Sequence, residues 1–278
     1  MLVIEKIDEL KEVLFRIRIN GKSIGFVPTM GALHKGHLSL VERARKENEV
    51  VVCSIFVNPT QFNNPTDLSN YPRTLADDLT LLEGYVDIVF TPEIEEVYPE
   101  PPQEVYCFGS LETVMEGVSR PGHFNGVAII VKKLLEWIEP DKAYFGEKDF
   151  QQLLIIKQLA KEHHPATEII PCPIVREPNG LAMSSRNRLL SESEKEVAAN
   201  IYRILQESKS FITKPVQQIK NFVVSQIAML PNMRLDYFDI VDDKMLQPVK
   251  SLEESEGVMA FIAVFLGDVR LIDNIRLK

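Results

Sequence analysis

Ile24-Gly25-Phe26-Val27-Pro28-Thr29-Met30-Gly31-Ala32-Leu33-His34-Lys35-Gly36-His37 is the stretch whose reading decides the fold. Residues 24–27 are an apolar run short enough for a buried strand, and from 38 to 46 apolar residues recur at spacings of three and four, as on a helix with one face on a core. A strand, a glycine-bearing loop and a helix that begins near Gly36 make the first half of a βαβ unit. Working outward, residues 50–57, 86–90, 143–145 and 169–175 read as further strands. Residues 75–82, 127–137 and 151–161 read as further core-facing helices. That alternation predicts a doubly wound parallel sheet of the α/β class, in which ligands bind outside the carboxyl ends of the strands.

Near Arg176 the pattern changes through Glu177-Pro178-Asn179-Gly180, a turn signal. A long charged helix follows from about Ser191, then a second at 215–229, then alternating runs at 235–241, 258–266 and 269–275. The expectation is a Rossmann-like domain over residues 1–176 and a smaller α+β domain over residues 177–278. The first fourteen residues mix Glu, Lys and Asp with apolar residues at helical spacing, unlike a signal peptide.

Composition narrows the partners. The formal net charge of −9 opposes a broad phosphate-binding face, so nucleic acid is not an expected partner. The apolar run at 50–57 is far below the roughly 20 residues that cross a bilayer, so no membrane role is expected. Cys53, Cys107 and Cys172 lack Cys-x-x-Cys spacing, which indicates neither a disulfide framework nor a zinc knuckle and fits reduced thiols in the cytosol.

Four segments carry chemistry. In the first, Gly31 and Gly36 have the spacing of P-loop glycines, but His37 and Leu38 stand where Lys and then Ser or Thr are required. What remains is a helix N-terminus with backbone N–H groups and two histidines, His34 and His37, able to donate to charge that grows on a phosphate. A metal pair is the competing reading, yet no Glu or Asp lies between Met30 and Leu40 to complete it; a helix-capping or solvated His pair is the plainer alternative. In the second segment, Asn58-Pro59-Thr60-Gln61-Phe62, Asn58 and Gln61 offer neutral donors and acceptors to a small polar molecule, against turn chemistry as the plain reading. In the third, Gly146-Glu147-Lys148-Asp149-Phe150-Gln151-Gln152, Lys148 lies at a strand's carboxyl end and suits a transferring phosphoryl group, although Glu-Lys-Asp is also an ordinary surface cluster. In the fourth, Met183-Ser184-Ser185-Arg186-Asn187-Arg188, hydroxyls and guanidinium groups suit phosphate, while a Ser-rich capping linker explains them equally when taken alone.

Together with Tyr71-Pro72-Arg73-Thr74, Arg120-Pro121-Gly122-His123-Phe124 and Arg270-Leu271-Ile272-Asp273-Asn274, these segments closely resemble the pantoate–β-alanine ligase family over nearly the whole chain. The His-x-Gly-His element by itself also occurs in cytidylyltransferases. The resemblance implies a two-step ligation: a pantoate carboxylate attacks the ATP α-phosphate, then a β-alanine amine attacks the pantoyl adenylate, giving pantothenate, AMP and pyrophosphate. It implies ATP contacts at Met30, Gly31, Ala32, Leu33, His34, Lys35, Gly36, His37, Gly146, Glu147, Lys148, Asp149, Val175, Met183, Ser184, Ser185 and Arg186. It further implies pantoate contacts at Gln61 and Gln152, β-alanine near Gln61, and His37 as proton donor, with His34, Lys148 and Arg186 as further catalytic groups. Mg²⁺ on the phosphates, a homodimer, a cytoplasmic location and closure of the second domain as a lid are implied in the same way. The rival expectations are a nucleotidylyltransferase, which would release pyrophosphate but no free AMP, and a nonenzymatic nucleotide-binding module.

Overall fold

In the computed structural model, which describes Met1–Lys278, six strands form one sheet: β1 (Leu2–Ile4), β2 (Ile24–Thr29), β3 (Val50–Ile55), β4 (Ile88–Phe90), β5 (Lys142–Gly146) and β6 (Glu168–Cys172). Their order is β1-β4-β3-β2-β5-β6 and every pairing is parallel. The chain runs outward from β2 through β3 to β4, then returns to lay β5 on the other side of β2. That reversal makes the carboxyl ends of β2 and β5 the topological switch point, the place where doubly wound sheets open a crevice.

Helices of eight residues or more in this unit are α1 (Ile7–Ile19), α2 (Lys35–Glu47), α3 (Leu75–Leu82), α4 (His123–Ile138) and α5 (Phe150–His163). Val27, Val41, Ala44, Val51, Cys53 and Val89 have no exposed surface and join the inner face of α2 to the sheet. Helix α4 buries eleven of its sixteen residues, with Asn125, Lys132, Lys133 and Glu136 on the remainder, so tertiary packing stabilises it more than propensity does. Arg18 donates through Nη1 to the carbonyl of Ile138 at 2.9 Å and so satisfies an orphan acceptor at the end of that helix.

Three expectations need correction here. The N-terminal residues are not one helix: Leu2–Ile4 form β1, in register with Ile88 to Phe90, before α1 begins at Ile7. Three residues are too short a run for alternation to register. Strand β3 ends at Ile55 and β6 at Cys172, short of the expected 57 and 175, because Phe56 onward and Pro173 onward turn away into loops.

The contacts divide into two units, Met1–Phe108 with Ser119–Pro173, and Gly109–Val118 with Ile174–Lys278. The second unit carries an antiparallel sheet ordered β7 (Met233–Asp242), β8 (Val258–Leu266) and β9 (Val269–Arg276), with helices α6 (Glu192–Ser208) and α7 (Val216–Ala228). Ser191 and Glu194 form a reciprocal capping box at the start of α6, which fixes where that charged helix begins. The core of this unit joins Ala198, Ile201 and Leu205 of α6 and Ile219 and Val223 of α7 to Ile240, Ala260, Ile262 and Val264 of the sheet. Within it, the short segment Gly109–Val118 is held by buried Glu116. Arg270 makes a two-pronged ion pair with that carboxylate at 2.8 Å on each prong, and the Tyr237 hydroxyl donates to it at 2.8 Å. No helix of the protein is long and apolar enough to cross a membrane.

Candidate active site

The loop after β2 is built on an unusual turn. Gly31 and Ala32 both have positive φ, +80° and +50°, and a Cβ at Gly31 would lie 3.0 Å from Ile55 Cγ2. Glycine suits the first of these positions; Ala32 is strained in the second. The strain is offset by a buried carboxylate. Asp78, on α3 and 1% exposed, accepts from the Ala32 N–H at 2.9 Å through Oδ2 and from the Leu33 N–H at 2.7 Å through Oδ1. Thr74 holds the same carboxylate, its hydroxyl donating at 3.1 Å. Thr29 completes the turn: its hydroxyl donates to the Ser54 carbonyl at 2.7 Å and accepts from the Gly31 N–H at 3.2 Å.

Helix α2 then starts at Lys35, with His34 as its N-cap. His34 Nδ1 accepts from the Gly36 N–H at 3.1 Å. The Gly36 amide is therefore engaged by the cap, as the Gly31, Ala32 and Leu33 amides are by Thr29 and Asp78. The capping alternative and the phosphate alternative turn out to be compatible. A ring whose Nδ1 accepts carries its proton on Nε2, so His34 both caps the helix and presents an N–H. The His34 and His37 rings lie with centroids 4.1 Å apart, tilted by 35°. Lys35 is exposed, whereas His34, Gly36 and His37 are half-buried.

Strands β2 and β5 are neighbours, with Gly25 opposite Lys142 and Phe26 opposite Ala143. They deliver the His34–His37 loop and the turn Glu147–Asp149 to the same edge of the sheet. Lys148 is half-buried on that turn and Asp149 exposed; α5 follows at Phe150 with Gln151 buried and Gln152 half-buried.

The loop after β3 forms a one-turn helix, Pro59–Gln61, capped by Asn58. Gln61 is 8% exposed and its Nε2 donates to Met30 Sδ at 3.0 Å, which brings the second segment against the first. Asn58 is not the open group that the sequence suggested. It is 1% exposed, donates to Gln61 Oε1 and to the Gly126 carbonyl, and accepts from Tyr98 and Thr60. Helix α4 supports this loop from beneath. A Cβ at Gly126 would come within 2.2 Å of the Thr60 carbonyl oxygen, so only glycine allows the helix this close. His123, also on α4 and 5% exposed, stands 2.9 Å through Nδ1 from the Gln61 carbonyl and 3.1 Å through Nε2 from Arg120. A guanidinium can only donate, so Nε2 accepts and Nδ1–H donates to Gln61.

Val175, Met183, Ser184, Ser185 and Arg186 belong to the second unit. The Glu177–Gly180 turn folds a hairpin in which Arg176 bridges Ala182 and the Met183 N–H donates to the Val175 carbonyl at 3.0 Å, so two of the expected nucleotide contacts are neighbours. Ser184 caps the short helix Ser185–Leu189 by accepting from the Arg186 N–H at 3.3 Å. The hairpin is fastened by Arg176, which pairs with both oxygens of buried Asp273 at 2.7 and 2.9 Å and stacks 3.7 Å from the centre of the Tyr202 ring.

Sequence reading missed Asp78 and Tyr98. Asp78 had a signal: it shares a helix face with buried Leu82, four residues on, and an acidic residue on an apolar stripe is the informative kind of exception. Tyr98 had none, since its partner Asn58 is forty residues away.

A family model described as pantoate-β-alanine ligase matches residues 2–276. The pantothenate synthetase of Bacteroides fragilis is 51% identical over 280 residues, covering 100% of this chain and 99% of the relative. That of Phocaeicola vulgatus is 52% identical over 281 residues and 100% of both chains. The crystal structure of pantothenate synthetase from Thermus thermophilus superposes with a TM-score of 0.93 at 40% identity over 100% of both chains. The pantoate-β-alanine ligase of Francisella tularensis, solved in complex with beta-gamma ATP and β-alanine, gives a TM-score of 0.84 at 39% identity over 100% of this chain and 98% of its own. The chain belongs to the pantoate-β-alanine ligase family, and it is an ATP-dependent ligase that joins pantoate to β-alanine through a pantoyl adenylate, with release of pyrophosphate and AMP.

Proposed function

We propose that the reacting groups meet at the switch point between β2 and β5. There Met30 to His37 and Gly146 to Asp149 hold ATP, Gln61 and Gln152 hold pantoate, and β-alanine approaches beside Gln61. The observation that carries this reading is the adjacency of the two strands that present His34, His37 and Lys148 at one edge, with Gln61 in contact with Met30. Val175 and Met183 to Arg186 are assigned to the same nucleotide on the family pattern.

The chemistry asks for little beyond charge and position. A carboxylate is a poor electrophile; as a mixed anhydride with AMP it carries a good leaving group, and no enzyme nucleophile is needed. In the first step a pantoate carboxylate oxygen bonds to the α-phosphorus as the bond to pyrophosphate breaks. His34 Nε2–H, His37 and Lys148 are the donors and charges assigned to the crowded phosphorus, with Arg186 as a further cation. In the second step the β-alanine nitrogen bonds to the acyl carbon, AMP leaves and the amine gives up a proton. His37 is assigned the proton donated to the leaving oxygen.

Mg²⁺ is proposed to arrive on the phosphates. The first loop carries no carboxylate, Asp78 is taken by the Ala32 and Leu33 N–H groups, and His34 Nδ1, which could have ligated a metal, already accepts from Gly36. Such a set fits phosphate-borne Mg²⁺, which keeps its waters, better than a cage of protein ligands. When bound, the ion neutralises charge on the phosphate oxygens. A cytoplasmic homodimer is proposed on the family pattern, and sizing by light scattering at working concentration tests the dimer.

The site assignment is tested by separating the two steps. Pantoate-dependent exchange of pyrophosphate into ATP reads the first; AMP release with β-alanine reads both. His37→Ala and Lys148→Ala are expected to lower exchange by about a hundredfold or more, and Gln61→Ala to raise the KM for pantoate. Exchange at the wild-type rate in both charge variants would move the nucleotide elsewhere.

A further inference from the structure

The amides of Asn58 and Gln61 lie side by side in the interior, and the hydrogen bonds around them set the way each is turned. The Gly126 carbonyl can only accept, and it lies 3.1 Å from Asn58 Nδ2. On the other side of Asn58, the Tyr98 hydroxyl donates to Oδ1 at 2.8 Å and the Thr60 hydroxyl donates to it at 2.9 Å. Burial pushes the Tyr98 phenol up to about 12, so it keeps its proton through the physiological range. With Asn58 fixed, its Nδ2 also donates to Gln61 Oε1 at 3.0 Å. Gln61 is thereby forced to turn its NH₂ the other way, where it meets Met30 Sδ at 3.0 Å. A thioether sulfur is a weak acceptor, so a donor pointed at it exchanges readily for an oxygen.

We propose that Tyr98 is a positioning residue for pantoate: acting through Asn58, it keeps the Gln61 amide turned NH₂-outward, so that Gln61 meets the substrate as a donor to a carboxylate or hydroxyl oxygen that takes over from the Met30 sulfur. The inference rests on the assignment of Gln61 to pantoate made above. It adds a direction to that contact. A substrate oxygen is welcome at this position, whereas a donor such as an ammonium group would face another donor. It also explains why three elements far apart in sequence converge on one buried amide: the Pro59–Gln61 turn, α4 at Gly126 and the residue that ends the short helix Ile94–Val97.

The test is steady-state kinetics on the full-length enzyme with ATP, Mg²⁺, pantoate and β-alanine. Gln61→Ala is measured first and reads the underlying assignment: an unchanged KM for pantoate would overturn both that assignment and the proposal. Given a raised KM in Gln61→Ala, Tyr98→Phe removes one hydroxyl and is expected to raise the KM for pantoate about five- to tenfold, the worth of a typical buried hydrogen bond, while kcat and the KM for ATP stay within about twofold. In the Gln61→Ala background the same Tyr98→Phe change is expected to add nothing, because both act on one contact. A Tyr98→Phe enzyme with unchanged KM for pantoate, or with equal losses in the single and double variants, overturns the proposal while leaving Gln61 assigned. Should Tyr98→Phe fail to fold, Thr60→Val removes the other donor to the same Asn58 oxygen and is read by the same two criteria.

Discussion

The carboxylate of Asp78 lies 2.9 Å from the backbone nitrogen of Ala32, a residue held at φ +50°. A side chain on α3 thus fixes the conformation of the loop after β2, with α2 and β3 between them in sequence. The second oxygen takes the Leu33 N–H, and the Thr74 hydroxyl donates to the same group.

Asp78→Asn turns one of those acceptors into an NH₂ facing an N–H. The loss of a hydrogen bond to a charged group is worth about 1.5–3 kcal/mol, enough to let Ala32 relax from its strained conformation. The expected outcome is a KM for ATP raised about tenfold or more, a lowered Tm and a KM for β-alanine nearly unchanged. A lowered Tm with an unaltered KM for ATP would reduce Asp78 to a stability element.

His34 and His37 are expected to separate in a paired measurement. His34 caps α2 through Nδ1, so His34→Ala removes a cap worth about 1 kcal/mol as well as an N–H donor. His37 lies inside the helix, past the cap. Both alanine variants should lose about a hundredfold or more in pyrophosphate exchange, but only His34→Ala should also lower Tm, by about 2–4 °C. His34→Asn restores a capping oxygen and should recover the Tm without recovering the rate. Equal Tm losses in the two alanine variants would contradict the division of labour.

These residues also mark where the sequence was legible. The strand, glycine and helix pattern of 24–46 sufficed for a parallel α/β sheet, because burial on two faces gives apolar runs and burial on one gives a 3.6-residue period. The same local rules placed His34, His37 and Lys148 at strand ends. They could not place β1, three residues long, nor see that Asn58 spends its whole amide inside the protein on Gly126, Gln61, Tyr98 and Thr60. Thr60 and Gln61 are local partners, but Gly126 comes from α4 and Tyr98 from the end of the short helix after β4, and pairings over such separations leave no local pattern. Asp78 lies between: its helix was legible, its inward-facing charge was a signal, and its partner was not.

Arg176 and Asp273 fasten the hairpin that carries Val175 and Met183. Their side chains are 16% and 3% exposed, so removal of one partner strands the other charge in the interior. Asp273→Ala is expected to destabilise the protein by about 3–5 kcal/mol. Arg176→Lys keeps the charge but loses the two-pronged geometry and the stacking on Tyr202, and should fall between wild type and that variant. Hydrogen exchange should report faster exchange at the Met183 amide, which donates to Val175, in both variants. Full protection of that amide in Asp273→Ala would show that the hairpin holds without the pair.

Glu47 gives an acid-side prediction with a definite sign. Its carboxyl is drawn down from 4.5 to about 2, chiefly by the hydrogen bond from Arg43; burial opposes the shift, and Lys142 and Tyr144 add to it. A folded-state value below the unfolded one means stabilisation that is fully present above about pH 4.5 and is lost as the pH falls toward 2. The side chain is 28% exposed, so solvent screening limits the contribution to about 1 kcal/mol. Glu47→Gln should therefore lower stability modestly at neutral pH and flatten the fall in stability between pH 5 and pH 2, with the two proteins converging at the acid end. Urea unfolding across that range reads the effect. A constant offset between wild type and variant at every pH would mean that the Gln loses packing rather than charge, and the ion pairs around Glu47 would then have no part in acid unfolding.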